Sequence, residues 1–461
     1  MHSLARALYS AALWLAQSLL RAKLQRRAAA EPLYGMHMQE RFGYYGAAQA
    51  TLQASAHPQG WVWVHAVSLG ETRAAAVLVA QLRLLMPSMR LLLTHSTATG
   101  RAEGAKLLQA GDQQAWLPWD TQAATRRFMA HFAPCIGIVM ETEVWPNLCS
   151  AAQRAGVPMV LANARLNASS LRKAQRLALL ARPAYASFAQ VLAQTEADAQ
   201  RLAAAGAQHV SVHGNLKFDA APSPALLQQG RTWRPTRPVV LLASSREGEE
   251  ALFLEQIMAM AQGNAAQAAI HSGVGAAPLG TPPTAAALAN QAVQWLIVPR
   301  HPQRFAEVAS LITQAGFSVS RRSNWASGPP ASGPPNCIWL GDSLGEMALY
   351  YAMSDCALLG GSFAPFGGQN LIEAIAADCP IVIGPHTFNF ADAASTAVAQ
   401  GAALRAASMP QAVQCALQIT ADAPQRQALQ QAAAQWLAHS SGAALRMAQA
   451  VVQVVVQLKR D

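Results

Sequence analysis

The segment Trp61-Val62-Trp63-Val64-His65-Ala66-Val67-Ser68-Leu69-Gly70-Glu71 decides how the chain is read. Its first residues form a short apolar run, and a small-residue turn then opens an Ala-rich stretch, a pattern that predicts a buried strand followed by a helix. The same unit recurs downstream as RLLLT (90–94), IGIVM (136–140), PMVLA (158–162) and VLAQ (191–194), with helix-length amphipathic or Ala-rich stretches between. The series stops at 219–238, where DAAPSPALLQQGRTWRPTRP carries four prolines and a glycine. It then restarts with PVVLLAS (238–244), QWLIVP (294–299), CIWLG (337–341), CALLG (356–360) and PIVIG (380–384). Two βα series predict an α/β fold with two Rossmann-like domains in tandem. Two low-complexity segments, 272–287 and 323–336, read as mobile surface loops, and the Ala/Gln/Val-rich tail reads as a helix packing back on the domains.

The 461 residues leave room for a large core, and 52% hydrophobic with 13% charged residues excludes a largely disordered chain. The mean hydropathy of +0.14 suits a membrane-associated globular enzyme. Cysteines 135, 149, 337, 356, 379 and 415 form no CxxC pair and no Cys/His cluster with zinc spacing, so they read as reduced thiols. Residues 1–230 hold 21 Lys+Arg against 11 Asp+Glu, and the remainder 13 against 13, which puts the whole net charge of +10 in the first half. No acid lies between Glu143 and Glu196, while Arg154, Arg165, Arg172, Lys173, Arg176 and Arg182 accumulate there. Such a surface faces an anionic partner or is a solvated basic face. Interleaved aromatics are absent, which argues against nucleic acid.

Leu4–Leu20 carries one charge, Arg6, and is followed by Arg21, Lys23, Arg26 and Arg27. It predicts a single N-terminal membrane-anchor helix, spanning or lying in the interface, with its basic flank cytoplasmic. A signal peptide ending near Ala28-Ala29-Ala30 and a buried helix are the competing readings.

Motifs for a P-loop, a zinc protease, a nucleophile elbow and a metal-holding Asp-x-Asp are missing. Three positive signals remain, all at predicted strand ends, where open α/β sheets bind ligands. Glu71 opens a helix whose N-terminus favours a carboxylate, the form a general base needs, although a Glu that only complements the dipole has the same spacing. His65 reads as a strand-end histidine. METEVWPN (140–147) supplies Glu141 and Glu143, of which alternation lets one face a ligand. In the second half, turns at 299–302, 341–346 and 360–373 bring glycines before helices, with Arg300 suited to neutralise a phosphate and Glu373 to accept from ribose hydroxyls. Together these make a nucleotide site.

These motifs, with ERFGYYG (40–46), NARL (163–166), GNLKFD (214–219), EGEE (247–250), PRHPQRF (299–305), GDSLGE (341–346) and GPHTFNF (384–390), make the chain resemble the 3-deoxy-D-manno-octulosonic acid (Kdo) transferases over most of its length. The resemblance implies a GT-B glycosyltransferase whose two domains face a cleft. Residues 1–30 would be the anchor, 31–225 the acceptor domain, 226–423 the CMP-Kdo domain and 424–461 a C-terminal helix. It implies Glu71 as general base, Glu141 and Lys217 as transition-state stabilisers, and Pro299, Arg300, Leu344, Gly345, Glu346, Asn370, Leu371, Ile372 and Glu373 as CMP contacts. The implied reaction is inverting, metal-independent transfer of Kdo from CMP-Kdo to a lipid A precursor, lipid IV(A), in lipopolysaccharide synthesis at the cytoplasmic face of the bacterial inner membrane. No cofactor and no obligate protein partner is expected. Ser244-Ser245-Arg246 and Gly368-Gln369-Asn370-Leu371 depart from the family's Ser-Thr-His and Gly-Gly-His-Asn-Pro. The alternatives are a GT-B transferase with another nucleotide sugar, or a membrane-tethered binding protein without activity.

Overall fold

The structure, a computed structural model, describes residues 2–46, 60–272, 293–330 and 336–458. It divides into two compact units, Met1–Ala220 with Ser440–Asp461, and Ala221–His439. Unit 1 is built on a seven-stranded sheet: β1 (Trp61–His65), β2 (Arg90–His95), β3 (Gln113–Trp116), β4 (Pro134–Met140), β5 (Met159–Ala164), β6 (Gln190–Ala193) and β7 (Val210–Val212). All seven are parallel, in the order β3-β2-β1-β4-β5-β6-β7. Every residue of β1 is buried because helices cover both faces, which is why its sequence shows no alternation. Trp63 packs with Phe128 and Leu161 on one face, Val62 and Val64 with Leu78 and Val451 on the other.

Unit 2 repeats the plan with β8 (Val239–Ser245), β9 (Gln294–Pro299), β10 (Ser318–Arg321), β11 (Cys337–Leu340), β12 (Cys356–Leu359), β13 (Ile381–Ile383) and β14 (Leu404–Arg405). The order is β10-β11-β9-β8-β12-β13-β14, again parallel throughout. At the sheet's centre the backbones of β8 and β12 crowd together, so a Cβ on Gly360 would meet the carbonyl oxygen of Ser244 at 2.5 Å.

Three expectations are modified. The tail is two helices, Ala423–Ser440 and Ala443–Leu458, and the second belongs to unit 1, where it packs on the helix Leu69–Leu85. The boundary between the units falls at 220/221 rather than 225/226. Residues 323–330 are not a bare surface loop: Trp325 is buried edge-on between Trp233 and Trp339, and Ser323 holds Asp342 through its N–H and hydroxyl at 2.8 and 2.7 Å. The segments 273–287 and 331–335 lie outside the described residues.

The N-terminal segment forms helices His2–Leu15 and Gln17–Ala30, and no helix among the described residues is long and apolar enough to cross a membrane. Fourteen residues rise about 21 Å, short of a bilayer core of about 30 Å. The first helix is docked by its polar stripe: Ser10 exchanges hydrogen bonds with Asn147, Arg6 donates to Ser150, and Tyr9 bonds Asp120. Leu4, Leu8 and Leu15 lie on the opposite stripe and are exposed, as is Leu19 on the second helix. A helix crossing lipid would bury the first set of residues in hydrocarbon, so a spanning anchor is not supported.

Candidate functional site

In unit 1 the strand order reverses between the neighbours β1 and β4, and their carboxyl ends form the crevice where such sheets bind ligands. The sequence after β1 makes a helix start: Ser68 caps Leu69–Leu85, its hydroxyl accepting from the N–H of Glu71. The Glu71 carboxylate turns back to accept from the N–H of Val67 at 2.9 Å and the hydroxyl of Ser68 at 3.2 Å. It therefore closes the turn that starts the helix. Burial raises its pKa to about 7 against the pull of the Val67 N–H, and the charges of Glu141 and Glu143 push the same way.

Glu141 follows β4 with φ +58°, a left-handed conformation in which a non-glycine residue is strained. The residue is 4% exposed, and it accepts from Arg165 at 2.7 Å. Burial raises the pKa of Glu143, which accepts from the Trp145 indole at 2.9 Å. All three carboxylates thus gather at the reversal point, Glu143 included, although alternation had allowed only one of the pair. Lys217 sits half-buried in the turn Leu216–Asp219, packed on the helix Leu69–Leu85. Asn163 accepts from the Leu216 N–H at 3.0 Å, and Asp219 caps Ala443–Leu458 by accepting from the N–H groups of Gly442 and Ala444. His65 is fully buried against Thr94, and burial lowers its pKa to about 3, so it is a neutral core residue. A cavity of about 350 Å³ adjoins this crevice, lined by Lys23, Arg27, Arg41, Val67, Glu143 and Trp145 among others.

In unit 2 the order reverses between β8 and β12. Pro299 ends β9 in the interior, and the exposed Arg300 follows, its N–H bonded to the Ser245 carbonyl at 3.0 Å. Arg246, after β8, lies over the Phe366 ring at 4.1 Å. Burial and the charges of Arg246 and Arg300 lower the pKa of His301 against the pull of Glu247, which pairs with Arg246 at 2.9 Å. After β11, Leu344 and Gly345 form an exposed turn, and Glu346 pairs with Arg322 at 2.8 Å. After β12, Asn370 accepts from the Ile372 N–H and donates to Glu373, both at 3.2 Å, while Glu373 itself is exposed. Leu371 and Ile372 bury their side chains in the core, so a ligand can meet only their backbone. Glu249 and Glu250, both fully buried, tie these loops together. Sequence reading missed that role; its only trace was two adjacent acids where a helix follows a strand.

Two parallel α/β units with polar residues gathered at their strand reversals define a GT-B-like fold. A solved glycosyltransferase from Rickettsia africae ESF-5 superposes with a TM-score of 0.53 at 13% identity, over 86% of this chain and 99% of that one. A UDP-GlcNAc 2-epimerase from Neisseria meningitidis gives 0.51 at 13%, over 86% and 99%. Residues 36–220 match the family model described as 3-deoxy-D-manno-octulosonic-acid transferase (kdotransferase). The 3-deoxy-D-manno-octulosonic acid transferase of Bordetella pertussis is 50% identical over 414 residues, 88% of this chain and 89% of the relative. That of Haemophilus influenzae is 31% identical over 84% and 83%. The chain belongs to the Kdo transferase family.

Proposed function

We propose that the protein transfers Kdo from CMP-Kdo to a phosphorylated lipid A precursor, lipid IV(A), with inversion and without a metal. Glu71 takes the proton from an acceptor hydroxyl, whose oxygen bonds to the anomeric carbon of Kdo while the bond from that carbon to the CMP phosphate oxygen breaks. CMP leaves with the electron pair. The observation that carries this reading is Glu71 itself: a carboxylate at the sheet's reversal point, with its pKa raised to about 7 by burial, is matched to general-base work near neutral pH. Glu141 and Lys217 are assigned to transition-state stabilisation. Pro299, Arg300, Leu344, Gly345, Glu346, Asn370, Leu371, Ile372 and Glu373 are assigned to the CMP moiety. The exposed Arg300 guanidinium at the end of β9 supports placing the phosphate there. Metal independence follows from the missing Asp-x-Asp and the single phosphate of the leaving group.

The first helix, in this reading, lies in the interface of the inner membrane on its cytoplasmic face. Its inverted amphipathy, with leucines out and polar side chains docked on the protein, supports that placement. It rests against the helix Ala178–Ala186, and the bases Arg154, Arg165, Arg172, Lys173, Arg176 and Arg182 of the same unit are all exposed. The test is incubation with CMP-Kdo and lipid IV(A), with and without a chelator, followed by mass spectrometry of the lipid. Transfer in both supports the reading; transfer that needs an added divalent cation removes its metal-independent part.

A further inference from the structure

The run EGEE at 247–250 takes part in none of the chemistry above, yet it lies at the centre of unit 2's strand-end loops. Glu249 is fully buried with no basic side chain among its hydrogen-bond partners. One carboxylate oxygen accepts from the N–H groups of Arg246 at 2.9 Å and Gly361 at 2.7 Å. The other accepts from Phe363 at 3.0 Å and Ala364 at 3.2 Å. Converging backbone N–H groups of this kind make an anion-binding nest, and here the anion is the protein's own side chain. Glu250 does the equivalent for the loop after β9. It accepts from the Ser245 hydroxyl at 2.6 Å and from both terminal nitrogens of the buried Arg304 at 2.6 and 3.2 Å.

We propose that Glu249 is a positioning residue for donor binding, its carboxylate holding the loop that starts at Gly360 in the conformation that presents Asn370 and Glu373 to the nucleotide, with Glu250 fixing the Pro299–Arg300 turn through Arg304. This rests on the reading that unit 2 binds CMP. The carboxylate is required because all four partners are donors. A glutamine of the same shape would turn an NH₂ group towards N–H groups and release part of the loop, and hydrogen bonds to a charged acceptor are the stronger kind.

The experiment compares the full-length wild type, Glu249→Gln and Arg300→Ala. It measures CMP affinity by calorimetry, KM for each substrate, thermal melting, and hydrogen exchange of the peptide covering 360–369. Glu249→Gln is expected to weaken CMP about tenfold or more, the worth of one charge-assisted hydrogen bond. It should raise KM for the donor in proportion, speed exchange in that peptide, and leave KM for the lipid acceptor unchanged. A merely structural role would lower the melting temperature and leave CMP affinity at the wild-type value, which overturns the proposal. If Glu249→Gln does not melt cooperatively, Glu249→Asp, which keeps the charge and withdraws it by one methylene, is read by the same criteria. Wild-type protein that does not bind CMP overturns the donor-site reading and this inference with it. Binding that Arg300→Ala weakens and Glu249→Gln does not overturns the inference alone.

Discussion

The ionisation of Glu71 is pulled in two directions: the bonds from Val67 and Ser68 favour its ionised form while burial disfavours it. Burial is the larger effect. As a base it must be ionised, so transfer under donor saturation is expected to rise with pH through about 7 and then level off. Glu71→Gln should lower turnover roughly 10²- to 10⁴-fold with CMP affinity unchanged; near-normal turnover would end the assignment. Linkage gives a second signature. A carboxyl whose pKa rises on folding from 4.5 to about 7 stabilises the fold below the lower value, and that contribution is lost as pH rises through the higher one. The melting temperature of Glu71→Gln minus that of the wild type should therefore grow between pH 5 and pH 8. Arg300→Ala, in contrast, should weaken CMP and donor while leaving acceptor KM in place, because Arg300 belongs to unit 2. Unchanged CMP affinity by titration would move the nucleotide site elsewhere. The strand ends at which Glu71 and Arg300 sit were legible because an apolar run precedes each. Glu249 was not, because its meaning depends on N–H groups more than a hundred positions away in sequence.

Elements were legible to the degree that burial wrote them into composition. All ten apolar runs became strands, since a strand covered by helices on both faces must be apolar throughout. The four strands that left no run are β3, β7, β10 and β14, short strands at or near the sheet margins such as Ser318–Arg321, where every residue is only half-buried. With fewer buried neighbours a strand can stay polar and leave no hydrophobic signal. The N-terminal helices show a different failure. Leu4–Leu20 reads as one apolar anchor because sequence cannot reveal that Arg6 and Ser10 have partners in Pro146–Arg154 and Tyr9 a partner in Asp120. That docking separates two variants which a simple tether would make equivalent. Replacing Leu4, Leu8, Leu15 and Leu19 with Gln removes apolar contact worth about 1 kcal/mol each, so binding to liposomes should fall roughly 10²- to 10³-fold. Turnover in detergent micelles should stay normal. Deleting residues 1–27 also strips one wall of the 350 Å³ cavity, Leu20, Lys23, Leu24 and Arg27, and the bonds to Asn147, five residues beyond Thr142 in the acidic loop, so micellar turnover should drop while CMP affinity holds. Equal micellar turnover in both variants would reduce the helix to a tether.

Across the whole molecule, the basic excess and the carboxylate crevice lie in the first unit, while the second holds 10 Lys+Arg against 12 Asp+Glu, Arg300 among them. Reversing Arg172, Lys173 and Arg176, all exposed, in the leucine-replaced protein should abolish its residual, salt-sensitive attachment to anionic vesicles. Such attraction is screened over about 8 Å at physiological ionic strength and contributes about 1 kcal/mol per base near headgroups. Flotation at low and high salt reads the effect, and loss of CMP affinity in the same variant would contradict the division of labour between the units. The central claim is that this fold moves Kdo from CMP-Kdo onto a lipid A precursor, and one measurement reaches it directly: mass spectrometry of lipid IV(A) after incubation with the purified protein and CMP-Kdo. The account predicts a gain of one or more whole Kdo residues, absent with Glu71→Gln. An unchanged lipid, or a gain that requires a different nucleotide sugar, would contradict it.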